Sequence, residues 1–246
     1  MKKRSREINI FSMSALDLFA CSMGAFILIT LILFPYYLKK ESEHPKCPPC
    51  EKCKVCPPIT SKVLKFAILG ILTEAKSFVL VIDFSGSIEN HTKQLKHVAG
   101  LVLEPMTSEY QFGMITYQGA SNNPDIKSVP PTKPYAPHVA SPKNKRLALD
   151  ELDTRLRSVD GGTPTEAALE EALKYSVEAI ILLSDGAPNG VPGDIVDEIT
   201  RLNNGQKKIY SIAIGDYSTK KTFIEFLTSL AYRNDGAFLG APLPRS

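Results

Sequence analysis

From Ser77 onward, short apolar runs alternate with longer segments of mixed polarity. Residues 78–82 are continuously apolar, which is typical of a strand buried on both faces. Between the runs, apolar residues recur at the spacing of amphipathic helices. The pattern predicts strands at 78–82, 110–117, 178–183, 208–214 and 237–239, and helices at 91–103, 144–158, 165–175, 193–203 and 219–232.

This alternation predicts an α/β domain over residues 62–246, with a Rossmann-like, doubly wound, mostly parallel sheet covered by helices on both faces. Prolines interrupt the pattern between residues 119 and 143, where we expect a long ordered loop or an added hairpin. In such sheets, ligands bind beyond the carboxyl ends of the strands. The loops at that edge are therefore the candidate functional site.

The N-terminal part of the chain contains one long apolar segment. Residues 15–34 carry a single charge, on Asp17. A helix of about 20 residues, rising about 1.5 Å per residue, crosses a hydrocarbon core of about 30 Å. A cleaved signal peptide would have a shorter apolar region that ends in small residues, whereas Tyr36 and Tyr37 follow here. We therefore predict one transmembrane helix within residues 11–38.

The charges on either side of this segment predict its orientation. Basic residues crowd the segment 1–10, whereas Lys39 and Lys40 are followed directly by Glu41 and Glu43. The positive-inside rule then predicts a cytoplasmic tail at 1–10 and a C-terminal domain outside the cytoplasm. The expected location is a bacterial inner membrane, crossed once, with the globular domain in the periplasm or another extracytoplasmic space.

Asp17 is the functional candidate within the predicted span. A carboxylate inside a membrane costs roughly 3 kcal/mol or more, and such residues usually have a function. The alternative is that Asp17 lies near the interface, where it caps the helix or reaches water. Small residues in the same half of the segment, such as Ala20 and Gly24, would let other helices approach closely.

Residues 15–28 resemble the transmembrane helix of the stator B subunits of flagellar motors and of their ExbD, TolR and Zorya-type relatives. The resemblance implies that Asp17 transports protons, that two copies form a homodimer, and that a multi-pass channel subunit of the MotA, TolQ and ExbB type surrounds their helices. It implies that this chain is the B-type subunit of a proton-driven motor complex in the inner membrane.

Residues 39–61 are predicted to form a stalk that is rich in proline and cysteine. The prolines exclude a continuous helix and favour extended backbone. Disulfides persist in an oxidising compartment, and bridges between two parallel stalks would lock a dimer. Zinc binding by paired CxxC steps and free thiols are the alternatives. The four cysteines recur at every third position: Cys47, Cys50, Cys53 and Cys56.

Composition and charge argue against other function classes. A formal net charge of +3 over 246 residues, without a basic stripe, argues against nucleic-acid binding. The 4 histidines are scattered, and none accompanies a nucleophile motif. No glycine-rich phosphate-binding motif occurs in the sequence. We therefore expect that the protein is not an enzyme.

Three polar loops are predicted to meet at the carboxyl edge of the sheet: 83–87 (DFSGS), 161–165 (GGTPT) and 184–186 (SDG). Each alone has an ordinary explanation, as a turn or as the N-cap of a helix. Together they supply carboxylates and hydroxyls without histidine or cysteine, which suits a hard divalent cation such as Mg²⁺. Neutral hydroxyl ligands would leave that cation able to bind one more anionic group from a partner.

Residues 77–240 resemble the von Willebrand factor A domain with its metal-ion-dependent adhesion site. The resemblance implies a Mg²⁺ (or Mn²⁺) cofactor and a protein ligand that binds through the metal. It also offers an alternative to the motor subunit, namely a membrane-tethered adhesion or assembly module without ion transport. The residues that match the family's metal-binding motif are Asp83, Ser85, Ser87, Thr163 and Asp185.

Overall fold

The computed structural model describes residues 66–131 and 133–241. The predicted tail, transmembrane helix and stalk, with Asp17 and the four stalk cysteines, lie outside these residues. Within 66–131 and 133–241, no helix has the length and apolar character needed to cross a membrane.

The described residues form short strands and α-helices in alternation, with 3₁₀ turns at Gly86–His91 and Leu156–Ser158. The helices are α1 (Thr92–Leu103), α2 (Pro142–Arg155), α3 (Thr165–Leu173), α4 (Pro192–Asn203) and α5 (Lys221–Arg233). The strands are β1 (Phe66–Ile68), β2 (Ile71–Thr73), β3 (Ser77–Asp83), β4 (Gln111–Ala120), β5 (Asn123–Ser128), β6 (His138–Val139), β7 (Ala179–Ser184), β8 (Lys208–Ala213) and β9 (Phe238–Gly240).

The main sheet has the order β5-β4-β3-β7-β8-β9, and β6 also pairs with β4. The five neighbouring strands β4, β3, β7, β8 and β9 are parallel. Strands β5 and β6 run antiparallel to β4. Asp83 pairs in register with Tyr117 of β4, and Ile82 pairs with Leu183 of β7. The carboxyl ends of three neighbouring strands therefore lie at one edge, and the predicted mostly parallel α/β sheet is confirmed.

The sheet is covered on both faces because alternate residues of β3 point in opposite directions. Phe78, Leu80 and Ile82 pack in one apolar cluster with α1 and α2. Val79 and Val81 pack in a second cluster with α3, α4 and α5. Every residue of β3 except Ser77 is buried, which explains its unbroken apolar sequence.

The structure also corrects some of the predicted boundaries. Within residues 119–143, β4 extends to Ala120 and turns back into β5, so the hairpin alternative is the one observed. Helix α2 begins two residues before the predicted start, because the Ser141 hydroxyl accepts a hydrogen bond from Asn144 N at 3.2 Å and Pro142 occupies the first turn. The small hairpin of β1 and β2 was not predicted.

Candidate metal centre

The two predicted carboxylates lie at the ends of adjacent strands. Asp83 is the last residue of β3, and Asp185 directly follows β7. Because β3 and β7 pair in parallel register, both residues reach the same edge of the sheet. Asp83 is fully buried and Asp185 is buried to 1% exposure, whereas Ser87 is exposed. The site therefore has a buried acidic floor and an open rim.

Hydrogen bonds join four of the five predicted ligands. The Asp83 Oδ1 atom accepts a hydrogen bond from Ser85 N at 2.9 Å. The hydroxyl oxygens of Ser85 and Ser87 lie 3.1 Å apart. The Ser87 hydroxyl in turn donates to Asp185 Oδ1 at 2.7 Å. The structure thus brings the motif on β3 and the aspartate after β7 into one polar cluster.

Thr163 belongs to a loop that packs against the same cluster. Gly86 N donates to Gly161 O at 3.0 Å, which ties this loop to the segment that contains Ser85 and Ser87. Asn189 forms two hydrogen bonds with the backbone of Thr163. Its side-chain Oδ1 atom accepts from Thr163 N at 3.2 Å, and its backbone N–H donates to Thr163 O at 2.9 Å. The side chain of Thr163 is buried to 7% exposure.

Two supporting residues were not among the predicted site residues. The Ser184 hydroxyl donates to Asp83 Oδ2 at 2.7 Å and so orients that carboxylate. Asn189 positions the loop of Thr163 from a distance of 26 residues along the chain. The Ser184 position could have been inferred from strand register, because it precedes Asp185 at the end of β7. No sequence pattern marks Asn189.

The buried position of Asp83 changes its acidity. Burial and, as the smallest contribution, the nearby Asp185 carboxylate together raise the pKa of Asp83 from 3.8 to about 6. Hydrogen bonds from Ser184 and Ser85 stabilise the charged form and oppose this shift. Burial and the charge of Asp83 also raise the pKa of Tyr117, whose hydroxyl lies 3.3 Å from the hydroxyl of Thr165.

The donor set fits a divalent cation. In the described part of the chain, the buried Oδ2 atom of Asp185 has no hydrogen-bond partner, and neither Asp83 nor Asp185 forms an ion pair. Lys220 Nζ donates to the backbone oxygen of Asp185 at 2.5 Å instead. Buried carboxylates without a counter-charge are unfavourable, and a hard cation at this edge would neutralise them.

Hydroxyl groups are needed to complete such a site. Among the described residues, no group of three or more His, Cys, Asp or Glu side chains could hold a metal ion. The oxygen donors that remain beside the two carboxylates are the hydroxyls of Ser85, Ser87 and Thr163. This composition is suited to Mg²⁺ or Mn²⁺, which prefer oxygen ligands.

The fold is that of a von Willebrand factor type A domain. The model of that family matches residues 78–239, and the chain belongs to this family. A von Willebrand factor type A structure from Catenulispora acidiphila is similar in fold, with a TM-score of 0.53 and 21% sequence identity over 69% of this chain and 39% of that one.

A second similar structure is the manganese-loaded TRAP protein of Plasmodium vivax. It has a TM-score of 0.45 and 18% identity, and the match covers 61% of each chain. This chain thus spans less than two thirds of the length of either structure. No curated protein matches the sequence.

Proposed function

We propose that this domain binds one divalent cation, Mg²⁺ or Mn²⁺, and through it an acidic group of a protein partner. The observation that carries the proposal is the unpartnered Oδ2 atom of Asp185 beside the buried Asp83 carboxylate. A cation at this place would give both carboxylates a counter-charge.

The roles of the individual residues follow from their chemistry. Ser85, Ser87 and Thr163 would hold the cation through neutral hydroxyl oxygens, and Asp83 and Asp185 would fix those hydroxyls and balance the charge. When bound, the cation supplies a Lewis-acidic centre with an affinity for anionic oxygen. The exposed rim at Ser87 leaves room for a carboxylate from a partner. The proposal involves neither nucleic acid nor an enzymatic reaction.

Manganese binding tests the cation site directly. The full chain in detergent micelles should bind one Mn²⁺, measured as the loss of the free-ion signal in electron paramagnetic resonance, and excess Mg²⁺ should displace it. Asp83→Ala should weaken the binding by about tenfold or more. Asp150→Ala is the matched control, because Asp150 is 71% exposed on α2. Equal Mn²⁺ binding by both variants would refute the site.

We further propose that the domain belongs to the B-type subunit of a proton-driven complex in a bacterial inner membrane. The support is the sequence of residues 15–34, an apolar segment with Asp17 as its single charge. A homodimer of this chain, with its N-terminus in the cytoplasm, would assemble with a multi-pass channel subunit. Proton transfer at Asp17 would then drive movement that the metal-binding domain transmits to its partner.

A charge-neutral replacement separates this function from the alternative of a tethered adhesion module. Asp17→Asn keeps the size of the side chain and removes its ability to ionise. We expect the variant to insert and to co-purify with the channel subunit but to lose proton flux in reconstituted vesicles, whereas Asp17→Glu should retain part of the flux. If the Asn variant conducts protons as the parent does, or if no channel subunit co-purifies, the chain is a tethered binding module.

A further inference from the structure

Lys220 places a positive charge at the rim of the proposed cation site. Its Nζ atom donates to the backbone oxygen of Asp185 at 2.5 Å, and the Oδ1 atom of Asp185 accepts from the Ser87 hydroxyl at 2.7 Å. These two oxygens belong to one residue and lie at most about 5 Å apart. The ammonium of Lys220 is therefore within about 10 Å of the exposed Ser87 hydroxyl.

The loop before α5 fixes Lys220 but gives its charge no partner. The backbone N of Lys220 donates to Tyr217 O at 2.9 Å, and its backbone oxygen accepts from Ile224 N at 3.0 Å. Asp216, in the same loop, instead accepts a hydrogen bond from the Ser218 hydroxyl at 2.7 Å. Over the part of the chain that the structure describes, Lys220 forms no ion pair. Its exposed ammonium has three N–H donors, so it can bind a further acceptor besides Asp185 O.

The charge of Lys220 acts in opposite directions on a cation and on an anion. A divalent cation and the two ionised carboxylates of Asp83 and Asp185 together carry no net charge, so they attract an anion only weakly at a distance. Lys220 adds one positive charge to this group, which favours a single negative charge on a partner. The same charge repels the cation. A lysine that only supports the Asp185 loop would not produce these opposite effects.

We propose that Lys220 is a second contact for the acidic group of the partner. One oxygen of a carboxylate from the partner binds the cation, and the other accepts a charge-assisted hydrogen bond from Lys220 Nζ. This inference rests on the cation site and the acidic partner proposed above. It makes the site selective for a carboxylate over a neutral amide, because an amide has no negative charge to balance the ammonium.

Paramagnetic relaxation of acetate tests this contact on the full chain in detergent micelles. The protein is kept in excess over Mn²⁺, so that the ion is bound, and ¹³C-acetate is added at constant ionic strength. Bound Mn²⁺ shortens the relaxation times of nuclei that come close to it. We expect the parent chain to enhance the relaxation of acetate saturably. Acetamide, a neutral molecule of similar shape, should show no saturable enhancement, and equal binding of the two would overturn the selectivity.

Lys220→Gln should weaken acetate binding about fivefold, as expected for an exposed charged contact. Its Mn²⁺ affinity, measured by electron paramagnetic resonance, should rise instead. Lys221→Gln is the matched control, because this neighbouring side chain is 87% exposed and lies 3.7 Å from Glu225 Oε1; it should bind acetate as the parent does. An equal loss in both variants would show an effect of general surface charge and overturn the proposal.

The remaining outcomes separate this contact from the function on which it rests. A parent chain that fails to bind Mn²⁺, or that binds Mn²⁺ without any saturable effect on acetate, refutes the proposed function and this inference together. Equal acetate affinities of the parent and Lys220→Gln overturn the Lys220 contact alone. A parallel loss of Mn²⁺ and acetate affinity in Lys220→Gln also overturns it, because Lys220 would then only support the Asp185 loop.

Discussion

In the metal-free domain, Asp83→Asn should stabilise the fold by an amount that grows with pH. Asp83 has a pKa of about 6 in the folded state and an ordinary value of 3.8. Between these two values the folded state holds a proton that the unfolded state has released. Raising the pH through this window therefore favours unfolding of the parent protein, and Asn, which does not titrate, escapes the effect.

The two pKa values set the size of the effect. Each pKa unit corresponds to about 1.4 kcal/mol, so the difference between 3.8 and about 6 amounts to about 3 kcal/mol. The stability of Asp83→Asn relative to the parent should rise by most of this amount between pH 4 and pH 7. Asp153, Glu171 and Glu198 have lowered pKa values, so their ionisation makes the folded state more stable as the pH rises. Their contribution is the same in the parent and in Asp83→Asn and therefore cancels in the difference.

Urea unfolding of the fragment 62–246 after exhaustive chelation measures this difference at each pH. Asp150→Asn serves as control, because its exposed side chain should give a difference that stays nearly constant with pH. Addition of Mg²⁺ at neutral pH should reverse the order and stabilise the parent alone. A difference between Asp83→Asn and the parent that is flat with pH, or that falls as the pH rises, would refute the argument that burial of Asp83 is costly.

Three other changes address the rim of the metal centre and the stalk. Gly162→Ala should weaken Mn²⁺ binding about tenfold, because the added Cβ would lie 3.0 Å from Gly119 O. Gly193→Ala, whose Cβ would have no atom within 4 Å, should leave the affinity unchanged. Equal Mn²⁺ affinities of the two variants would contradict this packing argument. Lys220→Gln should tighten Mn²⁺ binding roughly threefold by removing a nearby positive charge, whereas an equal effect of Lys221→Gln would point to general surface charge. On non-reducing gels, the full chain from an oxidising compartment should run as a disulfide-linked dimer. A dimer that persists after serine replaces Cys47, Cys50, Cys53 and Cys56 would show that these cysteines do not link the two chains.

The sequence predicts the fold well because its strands are buried on both faces. An unbroken apolar run such as 78–82 is best explained as a buried strand when helical segments flank it. The alternation of such strands with helices predicts that neighbouring strands run parallel. Boundaries were less accurate where local hydrogen bonds decide them. The start of α2 depends on the Ser141 cap, and the extension of β4 depends on its pairing with β5.

The sequence also brings the candidate metal ligands to one edge, since strand ends in a parallel sheet are neighbours in space. It cannot rank them by burial. The complete burial of Asp83 and the hydrogen bond from Ser184 depend on how β3 and β7 pack. Asn189 acts through a contact with a loop that is distant in sequence, and no spacing rule reveals such a contact.

The candidate metal centre lies where the apolar core ends and the exposed loops begin. Ile82 and Leu183, each directly before the polar strand end, belong to the apolar cluster, whereas Ser87 is exposed. At neutral pH the ionised Asp83 lowers the stability of the metal-free fold, and a cation at the proposed site would restore it, which would link cation binding to folding. In the metal-free domain Asp83 takes up a proton below about pH 6, and that proton would compete with the cation. We therefore expect acidification to release the cation while the domain stays folded.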